Sequence, residues 1–515
     1  MPYYGKELQS TVPIRDLLKA GLETKPDEDA LVSLEKRYTW RELDDVSARL
    51  AANYFTLGLK PGDRIASLIP NRCELLIHYV ACFKAGLVAV PLNYRYSHHQ
   101  IDHALEVSEA QIILLHEERR GDAEKSMIAG NLPLGIISYG SNNGDDPRLE
   151  DLLQNEPGDA DLQAPEPDRP AIIFFTSGST GPSKGVTHSY ESLEYMFASC
   201  RAGFELTTRD VMVADSSHSH LGGFLFSFTA MSAGGRVLVA TNAEPDELLT
   251  LLRRQRPSVL CMLPAALFRI IRDHGATSED FSSLRLTRSG SDKVPLELEH
   301  EFTALTGLQI DEGYGSTEVG LATINPPSGL IVEGSIGRPL PGFGFSIRDD
   351  EGVEVPTGKE GNLWVRSKSI MLGYWNNPES TAATIKDGWL DIGDVLKADE
   401  DGYLWFKGRK KQIIVHDGSN IAPQEVEEAL LEHEAVESAG VIGIHDLLHG
   451  ENVRAYVSIR NGADKPKATD LIAFARERIG YRAPEEIVFL DEIPLNPTGK
   501  VDRVTLKKMA EGDVR

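Results

Sequence analysis

Residues 171–186 read AIIFFTSGSTGPSKGV, an apolar strand that runs without a break into glycines, hydroxyl side chains and a single lysine. Glycine permits the open turns that let successive backbone N–H groups point inward, and hydroxyls and an ammonium add donors, so such a loop can cradle a polyphosphate. A Walker loop places glycine directly before its lysine. Here Ser183 precedes Lys184, so a phosphate site would be of another kind. Taken alone, the run also admits the reading of a flexible linker.

Its surroundings decide the fold. Upstream, RIASLIP, LVAVPLN, AQIILLHE and LGIISYG read as strands, and CELLIHYVACFKAG carries helical spacing up to Gly86. Downstream, VMVADSS, RVLVAT, SVLCMLP, LRLTRSGS and LQIDEGYG read as strands, separated by FLFSFTAMSAGG, DELLTLLRRQR, AALFRIIRDHG and LELEHEFTALTG as helices. This alternation predicts an α/β fold with mainly parallel sheets covered by helices. Ligands in such folds bind beyond the carboxyl ends of strands, where the glycine-rich loop, residues 289–292 and residues 314–318 all fall. After Pro326, runs such as FGFSIRD, GNLWVRS and GYLWFKGR between prolines and glycines predict a small antiparallel β-barrel module. Beyond GRKK (408–411) the texture becomes that of a small α+β unit. A chain of 515 residues needs more than one core. We expect a large N-terminal domain over 1–410, with subdomains near 1–170, 171–325 and 326–410, and a small domain over 411–515.

Composition narrows the function. Asp and Glu (78) outnumber Lys and Arg (53), for a net charge of −25. That field repels phosphate backbones, and no basic stripe offsets it, so no nucleic-acid partner is expected. Cys73, Cys82, Cys200 and Cys261 lie far apart without metal spacing, and Cys82 and Cys261 sit in apolar runs as buried reduced thiols do. The N-terminus MPYYGKELQS lacks an apolar core and no run is long enough for a membrane span, so a cytoplasmic chain without a membrane span is expected.

Three further motifs accompany the loop. Tyr314-Gly315-Ser316-Thr317-Glu318 follows a strand, Trp389-Leu390-Asp391-Ile392-Gly393-Asp394 precedes Gly408-Arg409, and Pro494-Leu495-Asn496-Pro497-Thr498-Gly499-Lys500 holds a lysine on a Pro/Gly-rich loop. Each alone reads as an ordinary turn or a solvated surface lysine. In this order and spacing they closely resemble the adenylate-forming superfamily, which comprises AMP-dependent acyl-CoA synthetases, peptide-synthetase adenylation domains and firefly-type luciferases. The resemblance runs from Thr39 to Arg503.

The resemblance implies two half-reactions: a carboxylic acid and ATP give an acyl-adenylate and pyrophosphate, and a thiol then takes the acyl group. It assigns the phosphate loop to Thr176, Ser177, Gly178, Ser179, Thr180, Gly181 and Lys184. Glu318 would hold Mg²⁺ through carboxylate oxygen, the ligand type that a hard cation prefers. Thr317 would contact phosphate and Tyr314 would lie against adenine, with Ser291, Asp292, Glu312, Gly313, Gly315 and Ser316 around the nucleotide. Asp394 would accept the ribose hydroxyls, with Arg409 nearby. Lys500 would stabilise charge developing where the carboxylate attacks the α-phosphate. The resemblance also makes the small domain mobile about Lys411, with Gly418 on the face that lines the thiol channel. Lys411→Pro should then spare adenylate formation and lose thioester formation.

The same resemblance places the acyl pocket at residues 214–224, and the spacing to Gly234 selects His220 over His218. Amino-acid-activating members usually carry an aspartate there, so an α-amino acid is not expected. Gly222, Gly223 and Gly320 would leave room for the acyl group, and Phe224, Phe226 and Val319 would supply apolar walls; the phenylalanines equally suit the core of their helix. Asp292 and Lys293 depart from the small residues that the family often shows after Ser-Gly. They either pair with each other or, if Lys293 faces the pocket, select an acid with a second polar group. The expected activity is that of an AMP-forming acyl-CoA synthetase for a medium-chain or aryl monocarboxylic acid, using ATP, Mg²⁺ and CoA. The alternatives are an enzyme loading a carrier protein and a catalytically inactive nucleotide-binding sensor. The sequence runs only a short way past Lys500, so no attached carrier domain is expected, which favours a free thiol.

Overall fold

The computed structural model describes residues 2–140, 146–156, 162, 165–176, 183–241, 244–290, 294, 296–410, 412–416, 419–446, 450–497 and 499–512. Two seven-stranded sheets form the larger compact unit. The first is ordered Gly373–Tyr374, Gly185–Ser189, Pro170–Phe175, Val88–Pro91, Arg64–Leu68, Ile112–His116 and Ile136–Tyr139. Its last five strands are mutually parallel, while Gly185–Ser189 runs antiparallel to Pro170–Phe175. The second is ordered Ile310–Glu312, Leu286–Ser289, Val259–Met262, Val211–Ala214, Arg236–Val239, Asp29–Val32 and Arg37–Thr39, parallel except at the last strand.

Local chemistry explains where helices begin and end. A capping box between Thr39 and Glu42 starts Trp40–Thr56 by satisfying two of its orphan N–H groups. Gly86, at φ 67°, ends Cys73–Ala85 in a left-handed turn that a glycine adopts freely. The helix Leu221–Ser232 is apolar nearly all round because it is buried nearly all round. All four cysteines are buried free thiols, as the apolar runs around Cys82 and Cys261 predicted.

The chain forms two compact units, one made of residues 1–294, 298–345 and 365–392 and the other of residues 295–297, 346–364 and 393–515. The second unit therefore takes in more than the stretch after 410. Short antiparallel pairings occupy the stretch expected to be β-rich, among them Trp389–Ala398 with Leu404–Arg409. Residues 412–512 contribute a five-stranded sheet ordered Ser419–Ile421, Ile414–His416, Gly450–Ile459 and Val436–Asp446, with Glu486–Phe489 parallel to Gly450–Ile459. A core of Ile414, Val426, Leu430, Val441 and Val453 packs with the helix Pro423–Leu431, and a smaller one of Ile442, Tyr456, Ile493, Leu506 and Ala510 seats the helix Arg503–Gly512. No helix of the described residues is long and apolar enough to cross a membrane.

Candidate active site

In the larger unit, the antiparallel pair that carries the glycine-rich loop brings its two ends together. Phe175 stands opposite Gly185, and the Thr176 N–H donates to the Lys184 carbonyl at 3.1 Å. Ser177, Gly178, Ser179, Thr180 and Gly181 lie outside the described residues, so the structure describes only the base of the loop. The Lys184 ammonium is exposed and sits 4.7 Å from the ring centroid of Tyr374. The Tyr374 hydroxyl donates to Glu318 Oε1 at 3.2 Å. Cation, phenol and carboxylate thus form one patch. Sequence reasoning passed over Tyr374, because only the pairing of Gly373–Tyr374 with Gly185–Ser189 brings it beside Lys184.

The Tyr314–Glu318 segment is shaped by tight backbone packing. Gly315 and Ser316 pair with Leu321 and Gly320 in a short hairpin. A Cβ on Gly313 would approach the Thr323 carbonyl oxygen to 2.6 Å and one on Gly315 the Gly320 oxygen to 2.3 Å, so only glycine fits at either position. Tyr314 is buried, its N–H held by Thr323 Oγ1 at 3.0 Å. His188, also unforeseen, ties this segment to the strand after the loop. Its Nε2 donates to the Thr317 carbonyl at 2.7 Å, and its Nδ1 faces the Ser192 hydroxyl at 3.2 Å. Burial pulls His188 down to about 4, so it stays neutral and acts as a structural strut. Glu312 is buried, whereas Thr317 and Glu318 remain half-exposed.

These residues suit magnesium and nucleotide. Mg²⁺ keeps much of its water and binds through one or two carboxylates together with phosphate oxygens, so the half-exposed Glu318 carboxylate fits as a protein ligand. Among the described residues no group of three or more His, Cys, Asp or Glu forms a metal cage. Ser291 and Asp292, and with them Lys293, lie outside the described residues.

The two histidines of the 214–224 segment differ. His218 is fully buried, with Nε2 at 2.9 Å from Ser227 Oγ and its N–H held by Asn71 Oδ1 at 2.8 Å, and burial pulls it down to about 4. His220 is partly exposed, with Nε2 3.0 Å from Asn93 Nδ2. The Oδ1 of Asn93 accepts the Arg95 N–H at 2.8 Å, so its amide nitrogen faces the imidazole and can only donate to it. Gly222 has open space around its missing side chain.

One expected pocket wall is corrected, and packing accounts for three other expected pocket residues. Phe224 is 0% exposed and packs among Tyr79, Phe83, Phe174, Phe197 and Phe228, with the Phe228 centroid 4.4 Å away, so it forms core and not an acyl wall. Val319 is buried as well. Gly223 is glycine because a Cβ there would strike the Ser216 and Ser217 carbonyl oxygens at 2.5 and 2.6 Å. Gly320 is required by its φ of 81° and by Met196, whose Cγ lies 2.6 Å from the position of a Cβ.

The second unit holds the other candidates. Asp394 faces Arg409 across antiparallel strands, with Oδ1 and Nε 3.2 Å apart; Asp394 is buried and Arg409 half-buried. Lys500 sits on a tight loop closed by the Leu495–Val501 bridge. Its N–H donates to Asn496 Oδ1 at 3.1 Å, its carbonyl accepts the Asn496 N–H at 2.7 Å, and Gly499 takes φ 84°. Behind the loop, Arg503 donates to both oxygens of Glu427, at 2.5 and 2.7 Å, and to the Val441 carbonyl at 3.1 Å. Lys411 and Gly418 lie outside the described residues.

Residues 18–375 match the AMP-binding enzyme family and residues 425–500 the AMP-binding enzyme C-terminal domain. A fatty acid–[acyl-carrier-protein] ligase, ScoC, from Streptomyces coeruleorubidus is 30% identical over 95% of each chain. A feruloyl-CoA synthase from an Amycolatopsis species is 32% identical over 90% of this chain and 92% of its own. The ATP-bound structure of MatB from Rhodopseudomonas palustris superposes with a TM-score of 0.89 at 27% identity, covering 98% of this chain and all of its own. The acyl-CoA ligases of this family work with ATP, Mg²⁺ and CoA. The chain belongs to the AMP-binding enzyme family and is an AMP-forming acid–thiol ligase.

Proposed function

We propose that the chain is an acyl-CoA synthetase in which the described patch of Lys184, Tyr374 and Glu318 receives the polyphosphate of ATP. The observation that carries this reading is the hydrogen bond from Tyr374 to Glu318 beneath the Lys184 ammonium, which gathers a cation and a hard oxygen ligand at strand ends. Glu318 would hold Mg²⁺, which would neutralise phosphate charge. Thr176 and Lys184 flank the loop over the β- and γ-phosphates, and Thr317 hydrogen-bonds phosphate. Tyr314 lies against adenine. Asp394 accepts the ribose hydroxyls while Arg409 fixes its carboxylate.

In the first half-reaction a carboxylate oxygen attacks the α-phosphorus, the bond to the bridging oxygen breaks, and pyrophosphate leaves. Lys500 stabilises the charge that builds at this centre, a contact whose removal typically costs ~10²–10³ in rate. His220 borders the acyl group, and Asn93 orients its imidazole. In the second half-reaction the CoA thiolate attacks the acyl carbonyl and AMP leaves. Lys411 serves as the hinge between the two steps, and Gly418 lines the thiol approach.

Carboxylate-dependent ATP–pyrophosphate exchange over aliphatic, aryl and dicarboxylic acids tests the reading, and silence across the whole panel defeats it. Lys500→Ala should lose exchange yet still bind ATP; full exchange in that variant removes Lys500 from the mechanism. A second reading, acyl transfer to a carrier protein, is favoured by the similarity to ScoC. Product formation with CoA against a phosphopantetheinylated carrier protein distinguishes the two acceptors.

A further inference from the structure

Arg288 is an anomaly in the interior of the larger unit. It is the third residue of the strand Leu286–Ser289, in register with Cys261 and Asp311 on the neighbouring strands, and is only 6% exposed. Its guanidinium carbon lies 5.0 Å from the centroid of Phe226, and Nη2 donates to the Gly313 carbonyl at 3.2 Å. Its Nε is buried with no hydrogen-bond partner, and among the described residues no carboxylate pairs with it. A guanidinium keeps its charge and carries five donors, so burying it against one carbonyl and one ring is costly unless an anion completes the site.

Asp311 does not complete it. Asn325 occupies its Oδ1 with a backbone N–H at 3.1 Å and a side-chain amide at 3.2 Å. Burial pushes the carboxyl up to about 8, so at neutral pH it is largely protonated and offers Arg288 little negative charge.

The location is that of the acyl side. A Cβ on Gly290 would stand 2.9 Å from Nη2 and one on Gly313 would stand 3.5 Å from Nε, so the guanidinium rests against the two glycines that end adjacent strands. Phe226 lies one turn beyond Gly222 on the helix that starts at His220, hence on the same face, and Gly222 opens onto empty space. An acyl group that enters past His220 over Gly222 therefore has Phe226 and Arg288 at its far end. We propose that Arg288 is a specificity-determining residue that pairs with a second anionic group on the acyl chain, so that the substrate is a dicarboxylic acid. This rests on the acid-activating reading above, and it replaces the plain monocarboxylate expected from the sequence.

ATP–pyrophosphate exchange tests it on matched pairs: succinate against butyrate, glutarate against valerate, adipate against hexanoate, and terephthalate against benzoate. The wild type should favour one or more dicarboxylates over their partners by ~10² or more in kcat/KM, since a site built around a buried polar group rejects the analogue that leaves it unpaired. Arg288→Leu should collapse that ratio towards one, and Arg288→Lys should keep part of it; a merely structural arginine would lower both members of a pair together. If Arg288→Leu does not fold, the wild-type ratio and Arg288→Lys decide. Preference for the monocarboxylate in every pair, or an unchanged ratio in the variants, overturns the inference and leaves the acid-activating reading intact. Silence on every acid of the wider panel overturns both.

Discussion

Tyr374 carries two contacts in one side chain, and substitution can separate them. Its hydroxyl donates to Glu318 at 3.2 Å, and its ring lies 4.7 Å from the Lys184 ammonium. A hydrogen bond to a charged acceptor contributes ~1.5–3 kcal/mol, and a half-exposed pair at this distance belongs at the lower end. Tyr374→Phe should therefore cost ~1.5 kcal/mol, or about 10-fold in kcat/KM for MgATP in pyrophosphate exchange. A cation over a ring at an exposed site is worth only ~0.5–1 kcal/mol. Tyr374→Leu should accordingly lose a further ~2–5-fold. Combination with Lys184→Met completes two double-mutant cycles. Lys184→Met and Tyr374→Leu should show a coupling of ~0.5–1 kcal/mol, because both remove the same contact. Lys184→Met and Tyr374→Phe should couple little, because the ring stays. Tyr374→Phe within twofold of wild type, or equal coupling in both cycles, would refute the assignment of hydroxyl to carboxylate and ring to ammonium.

Further outcomes follow from the packing. Native Asp311 holds its proton up to about pH 8, whereas the unfolded carboxyl releases it near 3.8. Between those values the folded chain binds the extra proton, so this group's contribution to stability falls as pH rises. Asp311→Asn removes that dependence, and its stability relative to wild type should climb by roughly 1.4 kcal/mol per unit over about pH 5–7 in urea unfolding. No change in the difference would mean that Asp311 is ionised in the folded state and able to serve Arg288. Glu427 also accepts the Val441 N–H at 2.8 Å, so Arg503→Ala strips a buried carboxylate of its cation. That variant should cost ~3–5 kcal/mol, read by hydrogen exchange across Val436–Asp446. Replacing Arg503 and Glu427 together by methionine should recover most of that loss. Gly320→Ala forces a side chain into the left-handed region and against Met196, and should lower stability by ~1–3 kcal/mol in thermal unfolding.

Much of this molecule is local in origin, and so could be read in order along the chain. Strand and helix alternation is a matter of period, and it placed strands in AIIFF, LRLTRSGS and LQIDEGYG, which the structure ends at Phe175, Ser289 and Glu312. The lysine loop at 495–501 is likewise built by its own neighbours, Asn496 and Gly499, and its motif stands in consecutive residues. Phe224 was ambiguous for a physical reason: on a helix buried all round, periodicity does not say which face meets ligand and which meets core. The rings of Tyr79, Phe83, Phe174 and Phe197, all from other elements, decide it.

The family is thus legible in the sequence, because the glycine-rich loop, the Tyr314–Glu318 segment and the Lys500 loop each sit in short contiguous motifs. How side chains gather around those motifs is a tertiary property. Tyr374 meets Lys184 through strand pairing, Asn93 meets His220 over a separation of 127 residues, and Arg288 becomes an unpaired interior cation only once Phe226, Gly290 and Gly313 close around it. A lone arginine in LRLTRSG looks like any other charged residue until burial removes its water. Only then does a charge without a partner acquire a meaning.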